Sequence, residues 1–437
     1  MIHLKFYLDK IIKWYTLWCT ILAIAAADDL REVNLNPRKG GRTMSSNEIT
    51  RRKFFGQVTK YCGAGIAALG LMGPGRALGV PDMDDPAHEG IWRMRDNQLM
   101  QNGEFRKNAP LPPDYFEKKP ETLINAGAPV NWSHLHENWY ADGGKSLVGL
   151  TMATPLEKNL KGDIKKAVKL IGGFEKALKK SDRILIKPNL NSANPWPGGG
   201  TDAPFLEALI LVLKDEGYQN LSVGETCGPW GPTERVAHSL GIDSICSSTK
   251  TPFVNWERAK WMNIRNAKAE FLGKFGGGDG TVTYVEDLRN YDKIIYTPVM
   301  KTHFLGGITM SIKLSVGLLH RADRGAQLHA FNHIFVAPAA AELNLPVRPD
   351  LIIMDGRRSF ISGGPSHGEM VKPGMILASG DQVANDVTGI KILQEWYPNM
   401  AQNKIGMYAW YQKQILQAVK VGVGYAKKDD DIKLALG

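Results

Sequence analysis

The chain has 437 residues, of which 43% are hydrophobic and 22% are charged, and its formal net charge is +10. This composition is ordinary for a globular protein, and the length suffices for one large α/β domain or two smaller ones. The basic excess is diffuse and forms no Lys/Arg-rich run, so the sequence predicts no nucleic-acid partner. The local basic clusters fit a small anionic ligand better than they fit a nucleic acid.

The N-terminal region has the pattern of an export signal. Arg51 and Arg52 are followed by two aromatic residues, and a mildly apolar run then ends in small residues at 77–79. This pattern is typical of a twin-arginine signal peptide, here over residues 44–79. It predicts the twin-arginine export machinery as a partner and a periplasmic or extracytoplasmic location, reached in the folded state. The alternative is an ordinary helix with a basic start.

The apolar run of this signal is too short for a permanent membrane anchor, since a transmembrane helix needs about 20 apolar residues. Residues 1–43 precede it and contain a second apolar run from Trp14 to Ala27. Because Met44 opens a conventional signal, the sequence favours translation from Met44, with 1–43 as a mis-called upstream extension. A genuine N-terminal anchor is the alternative.

Residues 80–145 are rich in Pro, Asp, Asn and Trp and have no sustained hydrophobic period. The prolines in 109–113 and at 129 break any long element. We therefore predict an extended N-terminal arm that wraps the main domain, with one short helix near 91–99.

From Ser146 onwards, strand and helix patterns alternate. Strands are predicted at 146–152, 183–186, 221–225, 293–296 and 351–354, and helices at 163–178, 204–217, 234–240, 326–343 and 383–395. This order predicts an α/β domain over 146–437, with a mainly parallel sheet and crossover helices. Residues 249–290 interrupt the alternation, so a smaller inserted subdomain is predicted within 249–330.

Polar loops directly follow four of the predicted strands. They begin at Lys187, Glu225, Pro298 and Asp355. In a parallel sheet, ligands bind outside the carboxyl ends of the strands, so these loops predict one shared site. Lys187 follows a buried strand, where a lysine normally needs an anionic partner, and it is predicted to face the site.

Together these loops resemble a known family, the exported proteins that carry the domain of unknown function 362. The matching segments occur in order at 186–189, 298–303, 311–318, 355–356, 363–368, 381–386 and 421–424. The resemblance covers roughly Ser146 to the C-terminus. It implies no particular reaction, because the reaction of that family is unknown.

The layout also resembles, more distantly, the lactate-racemase family, whose nickel-pincer nucleotide is attached to a lysine and whose metal is bound by histidine. His303, Lys313 and His329 repeat the family's spacing of ten and 26 positions. The chain departs from the racemases after the strand at 221–225. Thr226 and Cys227 stand where the racemases place a catalytic histidine, so the resemblance implies binding of a metal or nucleotide more than racemisation.

Two further patterns leave alternatives open. His329 and His333 are spaced i, i+4 on a predicted helix and could share one metal ion, or could lie on a hydrogen-bonded, partly exposed helix face. Cys227 and Cys246 could form one disulfide in an oxidising compartment, and their spacing does not decide it. The absence of a C-x-x-C pair argues against iron–sulfur ligation by this chain alone.

Several arginines are candidates to hold a phosphate or carboxylate, since guanidinium binds both in a bidentate fashion. Arg321 is assigned to the site, whereas Arg324 and Arg358 are expected to be solvated surface charges. Thr201 or Asp202 is expected to be the N-cap of the helix at 204–217.

The sequence thus predicts one cleft with three groups of candidate residues. They are catalytic candidates His303, Lys313 and Glu225; ligand-binding candidates Lys187, Asn189, Lys301, Arg321 and Asp355; and metal candidates His303, His329 and His333. The predicted function is an exported cofactor- or metal-binding protein, an enzyme of unknown reaction that acts on an anionic small molecule. The cofactor candidates are a metal ion and a metal-bearing nucleotide. The alternative is a non-catalytic periplasmic module that binds an anion or a metal.

Overall fold

The computed structural model describes residues 93–95, 98–100, 123–124, 128–193, 196–228, 232–274, 277–328, 336–396 and 409–437. All of them lie in one of the two units into which the chain divides, Gly79–Gly437. The predicted upstream extension and export signal fall outside the described residues, as do His329 and His333. Within the described ranges, no helix is both long enough and apolar enough to cross a bilayer.

The elements have the following bounds. The strands are β1 Arg93–Arg95, β2 Gln98–Met100, β3 Leu123–Ile124, β4 Ala141–Asp142, β5 Lys145–Met152, β6 Ile184–Pro188, β7 Leu221–Glu225, β8 Phe253–Asn255, β9 Trp261–Arg265, β10 Thr281–Val285, β11 Lys293–Thr297, β12 Lys301–His303, β13 Gly307–Thr309, β14 Leu351–Gly356, β15 Ser359–Phe360, β16 Met370–Val371, β17 Met375–Ser379 and β18 Ile432–Leu436. The α-helices are α1 Leu160–Leu170, α2 Ala203–Asp215, α3 Thr233–Ser239, α4 Ile242–Ser248, α5 Ser311–Leu314, α6 Arg321–Asp323, α7 Val336–Glu342, α8 Gln382–Glu395 and α9 Lys413–Val421. A π-helical turn, Arg324–Leu328, continues α6, and short 3₁₀ turns lie at Pro155–Glu157, Phe174–Lys176, Trp256–Arg258, Glu286–Asn290, Ser315–Leu318, Ala409–Tyr411 and Asp429–Asp431.

The main sheet has the strand order β18-β5-β17-β14-β11-β6-β7-β8, and β4 pairs with β5. Neighbouring strands are parallel from β14 to β8, and β18 is parallel to β5. Only β17, among the strands of this path, runs against its two neighbours. The predicted α/β fold with a mainly parallel sheet is confirmed.

Successive strand residues face opposite sides of the sheet, so both sides present apolar side chains that other layers must cover. Ile184 and Ile186 of β6 belong to the core that includes residues of α1 and α2. Leu185 between them belongs to a second core with Tyr296 of β11 and the residues of β9 and β10. The strands are therefore apolar on both faces, as expected for a parallel sheet covered on both sides.

The predicted strands and most predicted helices are present. The helix predicted over 326–343 is described only as the π-helical turn that ends at Leu328 and as α7. Two further elements differ from prediction. The short helix expected near 91–99 is wrong, since β1 and β2 form an antiparallel pair there. The helix expected over 163–178 ends at Leu170, because Gly172 and Gly173 adopt φ values of 113° and 90° that a helix cannot contain. Phe174 begins a separate turn and stays buried.

The range 249–330 divides between two sheets. β8 and β11 belong to the main sheet, whereas β9 and β10 form a small three-stranded sheet with β3. Cys227 and Cys246 are both buried, and no disulfide joins them.

The end of the N-terminal arm runs along the amino-terminal edge of the sheet. The Val130 amide donates to the carbonyl oxygen of Asn263 at 2.9 Å, and the His134 amide donates to that of Pro346 at 2.7 Å. Thus the described part of the arm is held by main-chain hydrogen bonds.

Asp350, just before β14, fastens the same segment through its side chain. Its carboxylate accepts hydrogen bonds from His134 Nε2 at 2.8 Å, from Trp139 Nε1 at 2.9 Å and from Lys293 Nζ at 2.9 Å. Although burial by itself raises the pKa of Asp350, the hydrogen bond from His134 and the proximity of His134, His136 and Lys293 lower it to about 2.

We predict that Asp350→Asn lowers the free energy of unfolding at pH 7 by about 3 kcal/mol, because it leaves the half-buried Lys293 ammonium without its counterion. Since the folded-state pKa is below the ordinary value of about 3.9, this contribution is complete above that value and is lost as pH falls through about 2. Urea unfolding of both proteins at pH 7 and pH 3 measures the difference.

Asp292→Asn is the matched control for this prediction. Asp292 pairs with Arg183 at 2.9 Å, but the two side chains are 42% and 56% exposed. Such a surface pair contributes at most about 1 kcal/mol. Equal losses at pH 7 in the two variants would contradict the role given to Asp350.

Candidate functional site

The candidate site lies at the carboxyl-terminal ends of β7, β6, β11 and β14, which are consecutive neighbours in the main sheet. Their loops contact one another. Thr201 Oγ1, in the loop after β6, donates to the carbonyl oxygen of Thr297 at 2.8 Å. Asn191 Nδ2, in the same loop, donates to Ser366 Oγ at 2.8 Å. The structure therefore brings the four predicted loops to one edge of the sheet.

Lys187 and Glu225, the last polar residues of β6 and β7, form a buried ion pair. Lys187 Nζ lies 2.7 Å from Glu225 Oε2, and the two side chains are 0% and 3% exposed. Burial lowers the pKa of Lys187 and raises that of Glu225, while the charge of each partner opposes the shift of the other. The anionic partner expected for this buried lysine is thus a carboxylate of the protein itself.

Gly317 closes over this ion pair. A Cβ atom added to Gly317 would overlap Glu225 Oε1 and would lie 2.6 Å from Lys187 Nζ. The Gly317 carbonyl oxygen also accepts a hydrogen bond from Thr226 Oγ1 at 2.7 Å. Only a residue without a side chain allows the backbone to approach this closely.

Arg324 is buried, so the expectation of a solvated surface charge is wrong. Its guanidinium donates to the carbonyl oxygens of Thr226, at 3.0 Å, and Cys227, and its Nε donates to the carbonyl oxygen of Leu319 at 2.7 Å. Thr226 Oγ1 accepts a further bond at 2.8 Å. The five donors of one planar guanidinium can satisfy these four acceptors, whereas a lysine has only three donors.

Arg321, one turn earlier, is also buried and pairs with Glu257. Its Nη2 donates to Cys227 Sγ at 3.2 Å. The sequence analysis missed Glu257, because it lies directly after β8, a strand of three residues that was assigned to an insertion. Had Phe253-Val254-Asn255 been recognised as a fifth parallel strand, its loop would have joined the other four.

The carboxylate of Asp355 pairs with Arg357. Arg357 Nε and Nη2 donate to the two carboxylate oxygens of Asp355 at 2.9 and 2.8 Å. Arg357 also pairs with Asp202 at 2.6 Å and with Glu157. Asp202 occupies the N-cap position of α2 but makes no capping hydrogen bond with its side chain. Arg358 pairs with Glu157 and is only 30% exposed.

Asn189 begins the loop after β6 and is buried. Its amide donates to Thr201 Oγ1 at 2.7 Å. Its side-chain Nδ2 has no hydrogen-bond partner among the described residues. It therefore remains a candidate donor to a ligand at this edge.

Lys301 and Lys313 differ from the other cations of the site. Lys301 is fully buried and donates to the carbonyl oxygens of Gly199 and, at 2.6 Å, Pro365. Lys313 is half-buried on α5. Neither lysine has a carboxylate within 4 Å in the part of the chain that the structure describes. The neighbouring segment 329–335 contains no Asp or Glu.

The two lysines affect each other. Burial first, and then the charge of Lys313, hold the pKa of Lys301 well below its usual range. Burial first, and then the charge of Arg324, lower the pKa of Lys313 to about 8. The protonated form of either lysine is therefore disfavoured, because no carboxylate among the described residues compensates its charge.

His303 ends β12, whose Lys301 lies on the same face two residues earlier. His303 Nδ1 accepts hydrogen bonds from the amides of Leu305 and Gly306, each at 3.1 Å. A Cβ atom added to Gly306 would lie 3.2 Å from Cε and 3.3 Å from Cδ of Lys313. The hairpin of β12 and β13 thus brings Lys301, His303 and Lys313 together. Two of these residues, His303 and Lys313, belong to the predicted histidine–lysine–histidine set.

One group within the described ranges has the geometry of metal ligands, and it lies elsewhere. The nearest ligand atoms of His134, His136 and Asp350 all lie within 4.8 Å of one another. They stand at the amino-terminal edge of the sheet, where Asp350 already accepts from Lys293 and Trp139. This group is a structural clamp of the arm and is not part of the candidate site.

Comparison with known proteins relates the chain to one family. Residues 184–391 match the family model described as domain of unknown function DUF362, which confirms the resemblance found in the sequence. The thylakoid-associated protein sll1697 of Synechocystis sp. is 24% identical over 248 residues, which make up 54% of this chain and 72% of that protein.

Among solved structures, the lactate racemase apoprotein from Thermoanaerobacterium thermosaccharolyticum is 12% identical. The alignment has a TM-score of 0.29 and covers 55% of each chain. The chain therefore spans just over half the length of that structure, and a likeness at this level says nothing about the site.

We predict that Gly317→Ala destabilises the protein by roughly 1–3 kcal/mol, because its methyl group would overlap a carboxylate oxygen in a closely packed, charged environment. Gly325→Ala is the control, since a Cβ atom there meets nothing within 4 Å. Thermal and urea unfolding measure both variants. A Gly317→Ala protein as stable as the control would show that the ion pair lies further from the backbone than described.

Proposed function

We infer that this chain, which carries a domain of the DUF362 family over residues 184–391, is a ligand-binding protein that takes an anionic small molecule or cofactor at the carboxyl-terminal edge of its sheet. The ligand lies between Lys301, His303 and Lys313. Arg324 and Asn189 lie in the same region and add positive charge and a hydrogen-bond donor.

The observation that carries this proposal is the pair formed by Lys301 and Lys313. Both lysines have pKa values lowered by burial and by a neighbouring cation, and neither has a carboxylate partner among the described residues. Burying an ammonium group without a counterion is costly. A phosphate or carboxylate bound between them would remove that cost, and this gain is available as binding free energy.

The same groups suit catalysis, so we propose an enzyme of unknown reaction. An amine with a pKa of about 8 exists in both protonation states near neutral pH, as general acid–base catalysis requires. Glu225 is the second candidate for proton transfer, since burial raises its pKa and its Oε1 has no hydrogen-bond partner among the described residues.

The second candidate function is a non-catalytic module that binds an anion or a metal. It is favoured by the engagement of Lys187, Arg321 and Asp355 with carboxylates or guanidinium groups of the protein. An enzyme with a preloaded cofactor should purify with a stoichiometric bound group, whereas a module should purify empty and bind reversibly. Mass spectrometry of the intact native protein, together with elemental analysis, distinguishes the two.

We predict that Lys313→Met weakens anion binding and stabilises the ligand-free protein. The methionine keeps the shape of the stem but removes a charge that faces other cations. In wild type, phosphate at about 100 times its Kd should raise the free energy of unfolding by about 2.7 kcal/mol. Loss of a charge-assisted contact weakens binding by roughly 1.5–3 kcal/mol. Lys433→Met, at a surface pair with Asp142, is the control and should behave as wild type.

The same variant has a characteristic pH dependence. Because the folded-state pKa of Lys313 is about 8 and its ordinary value is 10.5, the folded state binds fewer protons between these values. Stability of the ligand-free wild type therefore rises with pH across this window, by at most about 1.4 kcal/mol per pH unit from this group. Lys313→Met should lack that gain, and phosphate affinity of wild type should fall as pH rises through 8. Identical phosphate affinities in wild type and Lys313→Met would overturn the proposed site.

We further propose that the protein is exported through the twin-arginine route. The basis is the sequence of residues 44–79, in which Arg51 and Arg52 precede the apolar run. The export machinery reads the arginine pair as a unit, so Arg51→Lys with Arg52→Lys should leave an uncleaved precursor in the cytoplasm. Cell fractionation with an antibody to the mature protein tests this, and a normal amount of exported mature form would refute it.

A further inference from the structure

Thr309, the last residue of β13, carries a buried hydroxyl group that forms no hydrogen bond within the part of the chain that the structure describes. The residue is only 5% exposed. Leaving a buried hydroxyl without a partner costs free energy, because water satisfies the group in the unfolded chain. Since buried polar groups are nearly always hydrogen-bonded, such an exception marks a place where a bound molecule can supply the missing partner.

The pairing of β12 with β13 places this hydroxyl beside Lys301. Thr309 lies directly opposite Lys301 in the antiparallel pair, so the two side chains project from the same face. Residues opposite each other in such a pair have Cβ atoms about 4.5–5.5 Å apart. Ile308 and Met310, the neighbours of Thr309 along the chain, both belong to the apolar core on the other face. The register therefore directs the Thr309 side chain to the side of Lys301.

Lys301 has a donor left for a ligand at this place. A lysine ammonium has three N–H groups. Two of them donate to the carbonyl oxygens of Gly199 and Pro365. The third N–H of Lys301 and the hydroxyl of Thr309 can therefore donate to one oxyanion, in the protonated form of the lysine that a bound anion favours.

Two other buried groups without partners lie in the segments around Lys301. Asn189 Nδ2 and Ser359 Oγ form no hydrogen bond to any described residue, and the two residues are 7% and 0% exposed. The carbonyl oxygen of Asn189 accepts from the amide of Thr201 at 2.9 Å, in the loop that contains Gly199. Ser359 begins β15, which packs against β12. The segments next to Lys301 thus hold three buried groups that can donate to an anion.

We propose that the Thr309 hydroxyl binds the oxyanion of the ligand together with Lys301, and that this oxyanion is the terminal group of the ligand, a phosphate monoester or a carboxylate. The proposal rests on the proposed anion site and specifies which part of the ligand the site holds. Lys301 is 0% exposed and Thr309 is 5% exposed, so only the end of a molecule reaches them. A phosphate diester, which carries substituents on both sides of its charge, does not fit.

Replacing the hydroxyl by a methyl group tests the role of Thr309. We expect inorganic phosphate to bind Thr309→Val about tenfold or more weakly than wild type, because a hydrogen bond to a charged group is lost. The unfolding temperature of the ligand-free variant should equal or exceed that of wild type, because the substitution removes an unsatisfied buried hydroxyl. Thr309→Ser keeps the hydroxyl and should retain most of the phosphate affinity. Isothermal titration and thermal unfolding of the full chain measure both quantities.

Thr388→Val is the matched control. Thr388 is 6% exposed, but its Oγ1 donates to the carbonyl oxygen of Ala384 at 2.8 Å. We expect this variant to unfold at a lower temperature than wild type and to bind phosphate equally well. A similar loss of stability in Thr309→Val would show that its hydroxyl has a structural role, which overturns the proposal. A loss of phosphate affinity in Thr309→Ser as large as in Thr309→Val would overturn it as well.

The choice of anion tests the second part of the proposal. Acetate and methyl phosphate each present a terminal oxyanion, whereas dimethyl phosphate carries its charge between two methyl groups. We expect acetate or methyl phosphate to compete with inorganic phosphate for wild type, and the one that binds more tightly identifies the carboxylate or the phosphate monoester as the preferred group. Dimethyl phosphate that competes as well as the better of the two would refute a terminal oxyanion.

The outcomes separate this proposal from the proposed function on which it rests. If wild type and Lys313→Met bind phosphate alike, the anion site is wrong and the ligand role of Thr309 is wrong with it. If Lys313→Met weakens phosphate binding and Thr309→Val does not, the anion site stands and only the role of Thr309 is refuted.

Discussion

Buried positive charge at the carboxyl-terminal edge of the sheet is the constraint on which the arrangement of this region depends. A cation removed from water must meet a carboxylate or several oriented carbonyl groups. Lys187 meets Glu225, and Arg324 meets main-chain oxygens after β7. Each partner comes from a different part of the chain. These interactions therefore hold the loops together, while the apolar cores hold the strands.

The type of cation decides what kind of partner suffices. Arg324 has a fork of donors, and main-chain carbonyl oxygens accept hydrogen bonds from its Nε, Nη1 and Nη2 atoms. Lys301 has a point charge and three donors, of which two are used by the carbonyl oxygens of Gly199 and Pro365. Carbonyl dipoles offset only part of a full charge, and Lys313 nearby adds to what is left. This residual charge, and not the number of polar residues, marks the place for a ligand.

The sequence allowed the fold to be predicted well where periodicity was strong. β7 was predicted with its observed bounds, and the helix predicted over 163–178 contains the buried residues Ile164 and Val168 of α1. Prediction from the sequence failed where elements are short or where glycine interrupts the hydrophobic period of a helix. β8 has three residues and carries no pattern of its own, and Gly172 ends a helix whose apolar spacing continues to Leu178. Local composition cannot reveal a strand that is stabilised only by its neighbours in the sheet.

The candidate site was predictable as a set of loops, but not as a set of roles. Spacing alone placed Lys187 at the right edge, yet it could not show that Glu225 had already neutralised it. Spacing likewise gave His303 the position of a metal ligand in a resembling family, but it could not show that the Nδ1 atom accepts hydrogen bonds from two amides of its own turn. A side chain's chemistry follows from what its remaining atoms already bind, and those partners come from the main chain of the turn. The same histidine at the same spacing can therefore differ in its chemistry from one hairpin to another, depending on where two backbone N–H groups point.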